Sequence, residues 1–173
     1  MKKEIETKRL FFKQLTSFES VSFFEIVGDP EVMKFWIGGA DNNIEESEKR
    51  IIEINNHWEK HGFGDWGIFE KQSETLIGFA GLHYIQNMDD VNIGYAFKKS
   101  EWGKGFAYET CQFIINHAFN SLKLKKVAAV IWPQNKVSIK LIEKCGFQFQ
   151  ENTIWNNGAR VIYKKTGLFH SRT

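Results

Sequence analysis

The stretch Asn92-Ile-Gly-Tyr-Ala-Phe97, followed by Trp102-Gly-Lys-Gly-Phe-Ala107, constrains this chain more than any other part of it. It reads as a strand, a short loop with two glycines, and the first turn of a helix. A helix start leaves its first backbone N–H groups without partners, and the aligned peptide dipoles place partial positive charge there, so a phosphate is a natural occupant. Gly103 and Gly105 remove the side chains that would hold a phosphate away. Two familiar nucleotide loops are excluded. A P-loop needs Ser or Thr after Gly-Lys, but Lys104 is followed by Gly105, and the dinucleotide fingerprint needs a third glycine where Tyr108 stands. What remains is a diphosphate cradle of another kind, beside the plainer reading of a glycine turn leading into a core helix.

The same string resembles the Q/R-x-x-G-x-G/A signature of the GNAT superfamily of acyl-coenzyme-A-dependent N-acetyltransferases, with Trp102 in the first position and Ala107 in the last. The run Trp-Gly-Lys-Gly-Phe-Ala-x-Glu and the opening string Glu6-Thr-Lys-Arg-Leu10 are similar to the branch named for ribosomal-protein N-terminal acetyltransferases. Asn135-x-x-Ser138, followed by Lys144-Cys-Gly-Phe147, resembles the family's second signature. The resemblance spans essentially the whole chain. It implies an α/β fold with a mixed, mostly antiparallel twisted sheet flanked by helices, as a single catalytic domain over residues 1–173.

Composition agrees with one such domain. The 173 residues are 42% hydrophobic and 15% aromatic, enough for a substantial core. A formal charge of +2 signals neither a nucleic-acid surface nor an acidic tail. Cys111 and Cys145 fall in helical patterns, which suits buried free thiols in a reducing compartment. The N-terminus alternates charged with hydrophobic residues and no apolar run reaches about 18 residues, so neither a signal peptide nor a membrane span is expected and the protein is read as cytoplasmic.

Along the chain, Ile5 to Leu15 alternate as an edge strand around Arg9-Leu10-Phe11-Phe12. Ser17 is the expected cap of a helix to Val27, and Pro30 starts a short one with Val32, Met33 and Phe35. Residues 44–61 form an amphipathic helix whose apolar side holds Ile44, Ile51, Ile52, Ile54 and Trp58. Strands are expected over 65–70, 76–84 and 91–97, with turns at 71–74 and 86–90. The helix after the glycine loop should run to about Ser121, with Cys111, Ile114, Ile115 and Ala118 inward. A strand over 126–132, an Asn135-capped helix ended by Gly146, and strands over 147–155 and 159–165 joined by Asn156-Asn-Gly158 complete the expectation.

Acetyl transfer to an amine needs the thioester held, the amine neutral, the oxyanion stabilised and the leaving thiolate received. The resemblance implies acetyl-coenzyme A as co-substrate, with backbone amides of Gly103, Lys104, Gly105, Phe106 and Ala107 behind Trp102 on its pyrophosphate, and Asn135 on its pantetheine arm. Gly94 and Ala96 strip one face of the strand to small residues, which suits an extended chain bonded at Ala96 or Phe97 like an added strand. Lys98, Lys99, Lys104, Lys140 and Lys144 are candidate phosphate partners, or solvated surface lysines. The oxyanion would meet a backbone N–H of Tyr95 or Ala96, and Ser138 is the hydroxyl available to the sulfur. Many relatives in this branch carry Glu two residues before the Gly-Tyr pair, whereas this chain has Asn92, which cannot accept a proton usefully. Histidine is the side chain that changes charge near neutrality, so His83 at the end of a central strand is the substitute base, against a packed strand-end histidine.

Without a strong base, the acceptor's own basicity matters. Reaching the neutral form at pH 7 costs ~1 kcal/mol for an α-amine with pKa ~7.7 to 8.0, and ~4 to 5 kcal/mol for a lysine amine near ~10.4. The expected activity is therefore acetylation of a primary amine, a protein N-terminal α-amine before a small molecule, by direct attack in a ternary complex. Two rivals stand beside it: an acyl-CoA-binding or sensory module with weak catalysis, and another nucleotide-binding enzyme using the same loop. His57-Trp-Glu-Lys-His61 lacks the zinc-protease spacing and reads as a solvated helix end, and no metal site is expected. Trp36, Trp58, Trp66 and Phe63 are core residues first and cleft residues second.

Overall fold

The computed structural model describes residues 5–85 and 90–167. Its strands are β1 (Ile5–Glu6), β2 (Leu10–Lys13), β3 (Asp65–Glu70), β4 (Leu76–Tyr84), β5 (Val91–Phe97), β6 (Lys126–Ile131), β7 (Gln148–Trp155) and β8 (Gly158–Thr166). The helices are α1 (Ser20–Val27), α2 (Pro30–Met33), α3 (Ile44–His61), α4 (Phe106–Asn120) and α5 (Lys136–Lys144). The strands pair in the order β1-β2-β3-β4-β5-β6-β8-β7, a mostly antiparallel sheet whose β5–β6 pairing is parallel. The mixed α/β fold expected from the sequence is the fold observed.

The chain divides into two compact units. The first takes the described residues up to His83 together with Gly94–Thr110. Its strands β1 to β4 pair antiparallel, with Leu10 opposite Glu70 and Asp65 opposite Gly81. Its core gathers Leu15, Phe23, Ile26, Met33, Ile51, Phe79 and neighbours, because α1 and α3 turn their apolar stripes to the sheet. Helix α3 has the predicted bounds for local reasons. The Asn43 side chain accepts from Glu46 N–H at its start, and Gly62, at φ 75°, donates back to the Trp58 carbonyl at its end.

Two local expectations are corrected. The cap before α1 is Thr16 rather than Ser17: its hydroxyl accepts from Phe18 N–H while the Glu19 carboxylate reaches back to Thr16 N–H, closing a capping box around a 3-10 turn at Ser17–Glu19. The single first strand is two short ones, because Thr7 N–H bonds the Leu10 carbonyl at 2.8 Å and turns residues 7–9 out of the ladder.

The second unit comprises the described part of Tyr84–Ile93 and the chain from Cys111 onward. Here β5 runs parallel to β6 with Asn92 opposite Ala128, while β6, β8 and β7 run antiparallel. The Asn156-Asn157 turn has both residues at positive φ, 50° and 58°, as a tight hairpin requires. Cys111 and Cys145 are buried free thiols, as expected. Of the turn predicted at 86–90, residues 86–89 lie outside the described residues. Asp90 is buried there against Lys126 Nζ at 2.5 Å and Lys164 Nζ at 2.6 Å.

Candidate functional site

In the first unit the glycine loop connects β5 to α4. Gly103 and Gly105 adopt φ of 77° and 84°, left-handed values that other residues reach at a cost, and a side chain at Gly103 would point into open space. The loop is anchored on both sides. Trp102 donates its indole N–H to the Phe97 carbonyl at 2.9 Å, while its ring stays half exposed. Arg9 donates to the Lys104 carbonyl at 2.9 Å, and its guanidinium lies 4.4 Å from the Phe106 ring centroid.

Arg9 is itself held by Glu109, one turn into α4. The Glu109 carboxylate accepts from Arg9 Nε at 2.7 Å, Arg9 N–H at 2.9 Å and the Thr7 hydroxyl at 2.7 Å. Burial raises its pKa, but the Thr7 and Arg9 donors outweigh that and keep the carboxyl below its ordinary range. The two strings Glu6-Thr-Lys-Arg-Leu10 and Trp102 to Glu109, read separately in the sequence, are thus one clamp that fixes the loop. Lys104 and Lys98, two of the lysines taken as phosphate candidates, pair with Glu101 at 2.9 Å and Glu25 at 2.5 Å.

Beside β4 lies a cavity of about 260 Å³, lined by Trp36, Ile37, Arg50, Glu53, Ile54, His57, Asp65, Phe79 and His83. His83 stands on its β5 side: a side chain at Gly94 would come within 2.7 Å of His83 Cε1 and 3.1 Å of the Trp36 ring. The small face of β5 is therefore explained by the protein's own packing. Gly94 makes room for His83 and Trp36, and Ala96 is buried in the core cluster, which corrects the reason given for their size in the sequence.

Asp65, at the first position of β3, is buried, and its Oδ1 lies 3.8 Å from His83 Nδ1. Arg50 is turned away from the role of cation by Asp41, which accepts from its guanidinium and from the Ser47 hydroxyl. His57 is not a solvated helix end. Its Nδ1 donates to the Phe63 carbonyl at 2.8 Å, and burial holds the imidazole below its ordinary pKa range, that hydrogen bond opposing the shift. Trp36 lines the cavity, its ring 4.9 Å from that of Phe79, whereas Trp66 is buried in the core.

Tyr95 and Lys99 lie in the first unit, whereas Asn92, Asn135, Ser138, Lys140 and Lys144 belong to the second. Asn92 is buried, and both ends of its amide are engaged: Oδ1 accepts from Val130 N–H at 2.9 Å and Nδ2 donates to the Ile93 carbonyl at 3.1 Å. Asn135 caps α5, accepting from Ser138 N–H at 3.1 Å. Among the described residues no group of three or more His, Cys, Asp or Glu side chains is arranged to hold a metal ion. No helix among them is long and apolar enough to cross a membrane.

A family model described as an acetyltransferase (GNAT) domain matches residues 9–148. The chain belongs to the GNAT acetyltransferase family. Among its relatives is the "Uncharacterized N-acetyltransferase YoaA" of Bacillus subtilis, 32% identical over 149 residues, which cover 83% of this chain and 82% of that one. A GNAT-family acetyltransferase from Bacillus anthracis superposes with a TM-score of 0.81 at 19% identity, covering 95% of this chain and 98% of its own. A ribosomal L7/L12 alpha-N-protein acetyltransferase, solved in complex with coenzyme A, superposes with a TM-score of 0.82 at 13% identity over 95% and 98% of the two chains. Those two likenesses establish the fold. Within this GNAT acetyltransferase, Arg9 and Glu109 stand in the two strings that carry the family resemblance, but their contact was not readable from the sequence, and Glu53 and Asp65 were not singled out. A local signal for Asp65 was an acid at the start of the apolar run Trp66-Gly-Ile-Phe69.

Proposed function

We propose that this acetyltransferase moves an acetyl group from acetyl-coenzyme A to a primary amine that enters the cavity beside β4. The observation that carries the reading is the position of His83, which touches the space at Gly94 of β5 on one side and lines the cavity on the other. The loop suits the coenzyme's pyrophosphate: it opens a 15-residue helix, two of its residues are left-handed glycines, and Arg9 props its backbone from behind. The coenzyme A bound by the ribosomal L7/L12 alpha-N-protein acetyltransferase supports the same donor.

In the proposed reaction the neutral amine nitrogen attacks the thioester carbon, the carbon–sulfur bond breaks, and the nitrogen's proton passes to His83 directly or through one water. A backbone N–H of Tyr95 or Ala96 faces the developing oxyanion. Asn135 and Ser138 are proposed for the pantetheine arm and the departing sulfur, as the family resemblance implies. Asn92 carries no proton in this scheme, since its amide is committed to Val130 and Ile93. Acceptors of low basicity, protein α-amines first, cost least to deprotonate. The test is thiol release from acetyl-coenzyme A across peptides with free α-amines, polyamines and aminoglycosides, repeated with His83→Ala. Turnover on an amine, lowered at least tenfold in the variant with coenzyme A affinity kept, is the expected result. Tight coenzyme binding without turnover on any acceptor would instead favour a binding or sensory module.

A further inference from the structure

We infer that Trp102 stacks on the adenine of the coenzyme, so that the start of the glycine loop holds the donor by its base as well as by its phosphates; this rests on the acetyl-coenzyme A reading proposed above. Trp102 closes a 3-10 turn over Lys99–Glu101, donating its backbone N–H to the Lys99 carbonyl at 3.2 Å, and leaves that turn in an extended conformation. Its indole N–H is engaged by the Phe97 carbonyl at 2.9 Å. The side chain is thus tied at both ends in one orientation, yet 49% of the residue stays exposed. The hydrogen bond accounts for the indole nitrogen but not for the uncovered ring, because an aromatic side chain stabilises a fold through the area that it removes from water.

The surroundings of the ring favour a flat ligand that carries phosphate. Trp102 is the only large apolar side chain exposed between Lys98 and Gly105, so the ring is not part of a wider apolar patch of the kind that receives a protein. Residues 102–105 are all exposed, and a side chain at Gly103 would meet nothing within 4 Å, so the backbone next to the indole is open to a ligand. The charge beside the ring is also of the right sign. Lys98 and Lys104 are matched by Glu25 and Glu101, whereas Lys99, on the turn that Trp102 closes, has no carboxylate partner among the described residues. Stacking of a base on an aromatic side chain does not depend on which hydrogen-bonding edge the base presents, and it amounts to roughly five- to 150-fold in affinity.

Calorimetry with coenzyme A and with 4′-phosphopantetheine, which lacks the adenosine, tests the assignment. The wild-type protein should bind coenzyme A about tenfold or more tighter than phosphopantetheine. Trp102→Ala should weaken coenzyme A by about tenfold and phosphopantetheine by less than about threefold, and Trp102→Phe, which keeps a ring without the indole N–H, should recover most of the lost affinity. Equal losses of the two ligands in Trp102→Ala would make the residue a prop for the loop and overturn the assignment, as would unchanged coenzyme A affinity in that variant. Wild-type protein that binds phosphopantetheine as tightly as coenzyme A sinks the stacking and leaves the donor reading standing. Wild-type protein that binds neither sinks both.

Discussion

The glycine loop is held by the side chains of Arg9 and Glu109. Glu109 binds three donors from Thr7 and Arg9, and Arg9 in turn bonds the loop backbone at Lys104. Replacing Glu109 with Gln should cost about 1 kcal/mol, since part of the hydrogen bonding survives and Arg9 is half exposed, which screens the ion pair. The pH dependence has a definite sign. A carboxylate whose folded pKa is depressed contributes stability that is fully present above its unfolded value of about 4.3 and is lost as the pH falls through the folded value. Urea unfolding should show the wild-type advantage in full at pH 6 and shrinking from about pH 5 downward; an advantage that grows in acid would contradict it. Arg9→Ala should weaken coenzyme A about tenfold with far less change in acceptor KM, as measured by steady-state kinetics. Asn92→Leu leaves Val130 N–H without its partner between β5 and β6, so a loss of about 1 to 3 kcal/mol is expected in the same denaturant experiment.

At the scale of elements, the approach of β4 and β5 places the histidine. Gly94→Ala would put a methyl group within 2.7 Å of His83 Cε1 and force the ring or Trp36 aside. Overpacking of this kind costs about 1 to 3 kcal/mol. The expected signature is a fall in kcat of tenfold or more with coenzyme A affinity retained; equal losses in both would mean that the strand, rather than the imidazole, has moved. The contrast between what was readable and what was not also lies at this scale. Helix α3, the glycine loop, the Asn135-capped α5 and the Asn-Asn-Gly hairpin announce themselves because their caps and positive-φ residues lie next to the segments that they bound. The cavity does not, because α3 brings Glu53 and His57, β3 brings Asp65 and β4 brings His83, and only strand pairing and packing set them around one space. The clamp is hidden for the same reason, since Arg9 and Glu109 stand 100 positions apart in the chain. His57 looked solvated because its helix is charged overall, and the Phe63 carbonyl that engages it follows the helix's glycine end.

Over the whole molecule, the recognisable signatures are spread along the chain and fall in both units. The loop, its clamp, His83 and the cavity all belong to the first unit, and Asn92, Asn135 and Ser138 belong to the second. If acetyl-coenzyme A is the donor, its addition at about 100 times its Kd should raise stability by about 2.7 kcal/mol through preferential binding to the folded state. A thermal-shift titration reads this directly, and NAD or ATP giving a larger shift than coenzyme A would assign the loop to a different ligand. The packing at Gly94 also sets how far the acceptor range can be redesigned. At Gly94 the wall toward β5 has no slack, since an added Cβ there strikes His83 or Trp36, so enlarging the cavity has to begin at the solvent rim, where Ile37 and Glu53 are exposed and can be trimmed without disturbing His83.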